Sequence, residues 1–199
     1  MARHLDTRSR STPRFVLRPF RRKDVAATHE AVKASLPDLE EWLPWAVGYH
    51  RSVTQRHIRE SGAAWSDGRA FDFAIRSHDD PDRHIGNVSV WWVSHQNHVG
   101  EVGYWIRSDM TGRGIGAEVT ARAVQIGFEE IGFHRIVLRI AVGNLASEAI
   151  ARKLGFAFEG TLREEVRVGD VWLDHTSWSL LDREWWEERE RLKAQGMLA

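Results

Sequence analysis

The sequence predicts an α/β protein: one mixed sheet with helices on both faces. Residues 99–142 read strand, glycine-rich loop, helix, strand, and a crossover helix between two strands makes those strands parallel neighbours. On either side the pattern changes to hairpins, which demand antiparallel pairs. Strand-like Ile85–Val93 and Val99–Arg107 are joined by the short polar segment Ser94–His98, and Phe156–Val168 meets Val171–Leu181 through Gly169-Asp170. A length of 199 residues fits a single domain.

Taken in order, a first strand is expected over Phe15–Pro19. Asp24 then offers an N-cap for a helix to about Ala34. Ser35–Val47 carries two prolines and two tryptophans and reads as loop with a short helix. Val53–Ser66 suits a second helix, Ala70–Ser77 a strand, and His78–Asp82 a turn. After the central hairpin, Ile115, Val119, Ala123 and Ile126 recur at helical spacing in a helix expected to reach Ile131. Arg135–Val142 is apolar and strand-like. Asn144 opens a helix that Gly155 should end in a left-handed cap, and a charged helix from Asp182 to Gln195 follows the last hairpin. The domain is expected over residues 14–195, with a flexible basic tail at 1–13, where Arg3, Arg8 and Arg10 lie, and a short tail at 196–199.

Composition narrows the function. With 28 basic and 28 acidic residues the formal net charge is zero, so there is no global field for nucleic acid or an anionic membrane. There are no cysteines, hence no disulfide framework, cysteine nucleophile or thiolate ligand. No apolar run approaches a membrane span and the first residues lack a signal-peptide core, so a cytoplasmic protein is expected. His78, His84, His95 and His98 come without a ligand motif and read as surface residues, not a metal site. Trp185-Trp186 in the last helix reads as packing against the sheet or a second subunit, and a homodimer is left open.

The loop Met110-Thr111-Gly112-Arg113-Gly114-Ile115-Gly116-Ala117 joins a strand to a helix. Alternate glycines bare the backbone, and successive N–H groups at a helix N-terminus suit a diphosphate, with Arg113 able to add charge. A tight turn without ligand is the plainer reading. Gly-x-Gly-x-Gly this late in the chain is not a dinucleotide fingerprint, and a P-loop would need Gly-Lys-Ser/Thr.

This loop, its helix, and Asn144-Leu145-Ala146-Ser147 through Lys153-Leu154-Gly155-Phe156 resemble GNAT acetyltransferases, and more narrowly the RimJ/RimL-like group of ribosomal-protein N-acetyltransferases. Leu17-Arg18-Pro19, Leu39 to Trp45, Gly103-Tyr104-Trp105-Ile106 and Glu159 to Glu164 strengthen the match, which spans roughly residues 15–185. One departure stands out: Thr111 occupies a loop position where the superfamily usually has Gln or Arg.

The resemblance implies a mostly antiparallel sheet with a central splayed parallel pair, 99–107 beside 135–142. It also implies acetyl-CoA as co-substrate and no metal. The pantetheine arm would bond the freed edge at Tyr104, Trp105 and Ile106, with a backbone N–H near Ile106 at the oxyanion. Gly112 to Ala117 would hold the diphosphate and Asn144 the arm, while also capping its helix. Ser147 would bond the leaving sulfur. Glu165, or Glu101 through water, would be the base that neutralises the acceptor amine. Ser35, Trp42, Trp45 and Trp91 would line the acceptor cleft, with core packing the alternative for the tryptophans. The expected reaction is acetyl transfer to a primary amine, either a protein N-terminus or a small molecule; a CoA-binding sensor without turnover is the alternative.

Overall fold

The computed structural model describes residues 5–198, and one eight-stranded sheet organises them. The strands are β1 (Arg10–Ser11), β2 (Phe15–Pro19), β3 (Ala70–Ser77), β4 (Gly86–Ser94), β5 (Val99–Ile106), β6 (Arg135–Ala141), β7 (Ala157–Val168) and β8 (Val171–Leu181). They lie in the order β1-β2-β3-β4-β5-β6-β8-β7, and every neighbouring pair is antiparallel except β5 with β6. Helices α1 (Val25–Trp42) and α2 (Arg51–Ser66) precede β3. Helices α3 (Ile115–Gln125), α4 (Leu145–Lys153) and α5 (Asp182–Ala194) follow β5, β6 and β8. The mixed α/β architecture expected from the sequence is the one observed.

Strand alternation sorts the side chains. Val88, Val90, Val102, Ile136, Leu138 and Leu180 join the main apolar core with α3, while Trp105 packs in a smaller cluster with Ala31, Val32 and Leu39 of α1. Trp91 and Trp92 point to opposite faces: Trp92 packs edge-on against Phe133, and Trp91 lies over Gly103. Trp185 is fully buried, stacks on Phe128 and donates its indole N–H to Glu129 at 2.9 Å, whereas Trp186 is exposed.

Three expectations are corrected. Helix α1 does not stop near Ala34 but runs through Pro37 to Trp42. Pro37 and Lys33, whose carbonyl loses its helical donor, both lie on the exposed side, where water can serve that carbonyl. The segment expected as a loose basic tail is packed from Leu5 onward. Leu5 is in the core, and Arg10 is buried with its guanidinium on Glu130 at 2.8 Å. Arg3 lies outside the described residues. At the other end, Met197 and Leu198 also join the core.

Helix α3 gives way to a π-helical turn over Ile126–Ile131, and the left-handed Gly132 ends it. The next residue, Phe133, joins the core and lies against Gly100 of β5. A Cβ at Gly100 would sit 2.1 Å from the Phe133 ring, so only glycine lets β5 approach there. Gly100→Ala is expected to cost about 1–3 kcal/mol through overpacking. Thermal unfolding should show a clearly lowered Tm; an unchanged Tm would contradict this packing.

Candidate active site

The parallel pair is short. Val99, Gly100 and Glu101 pair with Arg135, Ile136 and Val137, and pairing stops there. Beyond it, β5 remains bonded to β4 as far as Ile106 and β6 to β8 as far as Ala141. Residues 102–106 therefore face residues 138–141 across a gap, and the polar groups of that edge have no strand partner across it.

The glycine loop stands at the open end of this gap. Gly112 and Gly114 both have φ of +73°, a left-handed conformation that disfavours side chains, and Gly114 caps α3. Space around Gly112 is open. Gly116 has a different role: a Cβ there would meet Ile150 of α4 at 2.8 Å, so it allows α3 and α4 to close together. A cation absent from the sequence reading stands beside the loop. Arg14 donates through Nε to the buried Glu118 at 2.6 Å and through Nη1 to the Arg113 carbonyl at 3.1 Å. Its Nη2 lies 3.7 Å from where a Gly114 Cβ would be. No short-range pattern could have revealed it, because the contact spans 99 residues.

Asn144 caps α4, its Oδ1 accepting from the Ser147 backbone N–H at 3.1 Å. On the α3–α4 face the Tyr104 phenol reaches the same region; burial pushes it up to about 12.

On the other face, at the closed end of the gap, three charged residues meet. Arg139 donates to Glu165 at 2.8 Å and lies 3.6 Å from Glu101. Glu165 reaches this position because β7 bulges between Leu162 and Val166, with Glu164 at φ +50°. Burial lifts Glu101 to about 7 against the pull of Arg139, and the like charge of Glu165 lifts it further.

A cavity of about 390 Å³ opens on this face between α1, α2, β4 and β5. Trp45, Tyr49, Trp91 and Trp105 wall it, and Asn87, Ser89 and His57 supply polar groups. Trp45 and Trp105 lie 6.2 Å apart, centroid to centroid. The ring of Trp91 lies against Gly103, where a Cβ would meet it at 2.9 Å. A polar chain backs the cavity: His84 Nε2 lies 2.8 Å from Asn87 Oδ1, and Asn87 Nδ2 is 3.5 Å from His57 Nε2. Burial pushes His84 down to about 3, so it is neutral, and it is not the surface histidine expected.

The structure brings together Glu101, Trp91 and Trp45 on one face and Tyr104, Asn144 and Ser147 on the other. It separates two expected acceptor residues from the cavity. Ser35 is buried, donating to the Ala31 carbonyl at 2.9 Å and accepting from the Ser108 N–H at 3.0 Å, so it pins α1 to the chain after β5. Trp42 stands beside Gly143 in the β6–α4 connection. Tyr49, His57, Asn87 and the Trp105 ring were missed. Asn87, Ser89 and Trp91 alternate along β4 on one face, a signal that the sequence did contain.

A family model described as acetyltransferase (GNAT) domain matches residues 14–157. The chain belongs to this family. GNAT enzymes use acetyl-CoA as co-substrate. The putative ribosomal N-acetyltransferase YdaF of Bacillus subtilis is 34% identical over 104 residues, covering 52% of this chain and 57% of YdaF. The uncharacterized N-acetyltransferase YnaD of the same organism is 24% identical over 175 residues, 88% of this chain and 98% of YnaD. Among solved structures, Mycobacterium smegmatis RimJ in complex with CoA-disulfide superposes with a TM-score of 0.83 at 28% identity, over 92% of this chain and 90% of that one. Among the described residues no helix is long and apolar enough to cross a membrane, and no group of three or more His, Cys, Asp or Glu could hold a metal.

The glycine loop gives a direct test of cofactor binding. Gly114→Val places a branched side chain at a positive φ, on the backbone that the expected diphosphate would approach. Hydrogen bonds to charged groups are worth about 1.5–3 kcal/mol, so acetyl-CoA affinity should fall ~10-fold to ~100-fold. Calorimetry on the folded variant checks this, and unchanged affinity would remove the loop from the site.

Proposed function

We propose that this GNAT domain transfers the acetyl group of acetyl-CoA to a primary amine held in the aromatic cavity. The observation that carries the reading is the gap between β5 and β6: the glycine loop follows β5 at its open end, and Gly103, Tyr104 and Trp105 of the freed stretch of β5 also line the cavity. The backbone N–H groups of residues 112–117 suit the diphosphate, and Arg14 supplies the cation that Thr111 does not. The unpaired edge from Val102 to Ile106 suits the pantetheine arm, which bonds it as an added strand would. Acetyl-CoA supplies the activated acyl group.

Ile106 lies next to the phosphate loop, so the reacting carbon belongs nearer the closed end, beside Gly103 and Glu101. That favours Glu101 over Glu165 as base. Glu101 sits opposite Trp91, a wall of the cavity, in the β4–β5 register, and its pKa of about 7 matches proton removal near neutrality. Glu165 is engaged by Arg139 and tunes the site through it. Charge developing on the carbonyl oxygen is met by a freed backbone N–H of β5.

The cavity describes the acceptor. From Trp91 to Asn87 is four strand residues, roughly 13 Å at about 3.3 Å per residue. That length suits an extended N-terminal peptide of about four residues, or a small amine carrying a flat group. The tryptophan walls take an apolar body, and Asn87 and His57 read a polar group at the far end. The ribosomal name that YdaF carries favours the N-terminal amine of a protein. A panel of N-terminal peptides and small amines, followed by thiol release and mass spectrometry, tests this. Acetylation of neither class, with acetyl-CoA bound, would overturn it.

Two outcomes are expected from variants. Trp45→Ala should raise KM for the amine and leave KM for acetyl-CoA unchanged, with little loss of Tm because Trp45 is 38% exposed; the opposite pattern would return it to a packing role. The pH profile of kcat/KM should rise through about 7 as Glu101 ionises. In Glu101→Gln that limb should vanish and the rate fall by about 10²- to 10⁴-fold. Stability has the opposite sign. A carboxyl whose pKa is raised on folding favours the fold below its ordinary range, and that contribution is lost as pH rises through about 7. Glu101→Gln should therefore melt higher than the parent above pH 7. A retained limb with full rate would pass the role to another group.

A further inference from the structure

Tyr104 carries a polar atom that the fold does not satisfy. Its phenol oxygen is buried and has no hydrogen-bond partner. The ring lies beside Gly116. Its Cε2 lies 3.8 Å from where a Gly116 Cβ would be, and that same point is 2.8 Å from Ile150 Cδ1, so the ring borders the junction of α3 and α4. The Ser147 hydroxyl lies beside the phenol, near enough to ease its ionisation but outside hydrogen-bond geometry. Tyr104 belongs to the stretch of β5 that β6 leaves unpaired, and Ser147 to the first turn of α4. A buried hydroxyl without a partner is rare in a folded protein and calls for a reason.

Resting on the acetyltransferase reading above, we propose that Tyr104 is a positioning residue for the leaving group: its O–H donates to Ser147 Oγ and turns the Ser147 O–H toward the cofactor sulfur. The amine nitrogen forms the new C–N bond, its proton goes to the Glu101 carboxylate, and the C–S bond breaks with its electron pair on sulfur. The hydroxyl pair stabilises the resulting thiolate by hydrogen bonding and does not protonate it. A thiol ionises near about 8.5. The phenol ionises at about 12, so proton transfer from it to the thiolate is uphill. The thiolate takes its proton from solvent after the transfer. The pair therefore acts by strengthening a hydrogen bond as charge builds on sulfur.

Tyr104→Phe removes only the oxygen and keeps the ring beside Gly116. Its expected effect is a fall in kcat of about 10-fold, at the low end of what a positioned donor contributes. KM for acetyl-CoA should stay within about 2-fold. Because the lost oxygen had no partner, Tm should hold or rise. Ser147→Ala should slow turnover at least as much, and the double variant should be no slower than Ser147→Ala alone, since both hydroxyls act through one chain.

A second readout needs no turnover. By calorimetry, the parent should prefer CoA to desulfo-CoA, and Tyr104→Phe should narrow that preference. An unchanged kcat in Tyr104→Phe, strictly multiplicative losses in the double variant, or an unaltered preference for the sulfur would each overturn the proposal. Failure of the underlying reading looks different: the parent itself would bind CoA and acetylate no amine.

Discussion

The site depends on two strands that are forbidden to stay paired. β5 and β6 run parallel for three residues and then diverge, because each is held more firmly by its other neighbour. β4 bonds β5 along its whole length, and β8 does the same for β6. A sheet accumulates twist between neighbours, and here the divergence is kept open on one face by α3 and α4, which pack together over the gap through Gly116 and Ile150. The exposed backbone edge is a cost in the free protein, and a ligand that lays amides along it can offset that cost.

Several ion pairs fix the walls around the gap. Glu118, buried in the first turn of α3, accepts from Thr12 Oγ1 at 2.6 Å and from the Arg14 backbone and guanidinium. That cluster holds the N-terminal segment against the phosphate loop. Arg107, buried just after β5, pairs with Glu30 of α1, and Ser35 bonds the adjacent Ser108. Asp24, before α1, is shared by Arg18 and Arg76, which hold its carboxyl low against the cost of burial. Helix α1 is thus tied to β5 and to the sheet, and the acceptor cavity beneath it keeps its shape. The paired Arg139 and Glu165 stand beside Glu101, so this carboxylate, Trp105 and the glycine loop are all referenced to the same two strands.

Much of this was legible in the sequence. Strand β3 and the two hairpins followed from alternation and turn residues, and the crossover through the glycine loop required the parallel pair. Asn144 and Ser147 could be placed because helix caps are local signals. What failed was long-range. Leu5 and Arg10 looked like tail because their partners, Trp65 and Glu130, are distant in sequence. Pro37 looked like a helix end because its tolerance depends on which side of α1 faces water. Ser35 looked like a cleft residue because nothing near it in sequence reveals Ser108 as its partner. The cavity residues Tyr49, in the connection before α2, and His57, in α2, depend on a placement of that helix over the sheet that no periodicity specifies.

The central claim is that the β5 edge freed by this divergence is the cofactor's binding edge. Amide hydrogen exchange of the protein with and without CoA tests it most directly, because exchange reports the hydrogen bonding of each backbone N–H. The gap-facing amides among residues 102–106 should exchange fast in the free protein and slow when CoA binds, while those of residues 99–101, already paired with β6, should change little. Unchanged exchange across residues 102–106, in a sample that calorimetry shows to be saturated with CoA, would contradict the account.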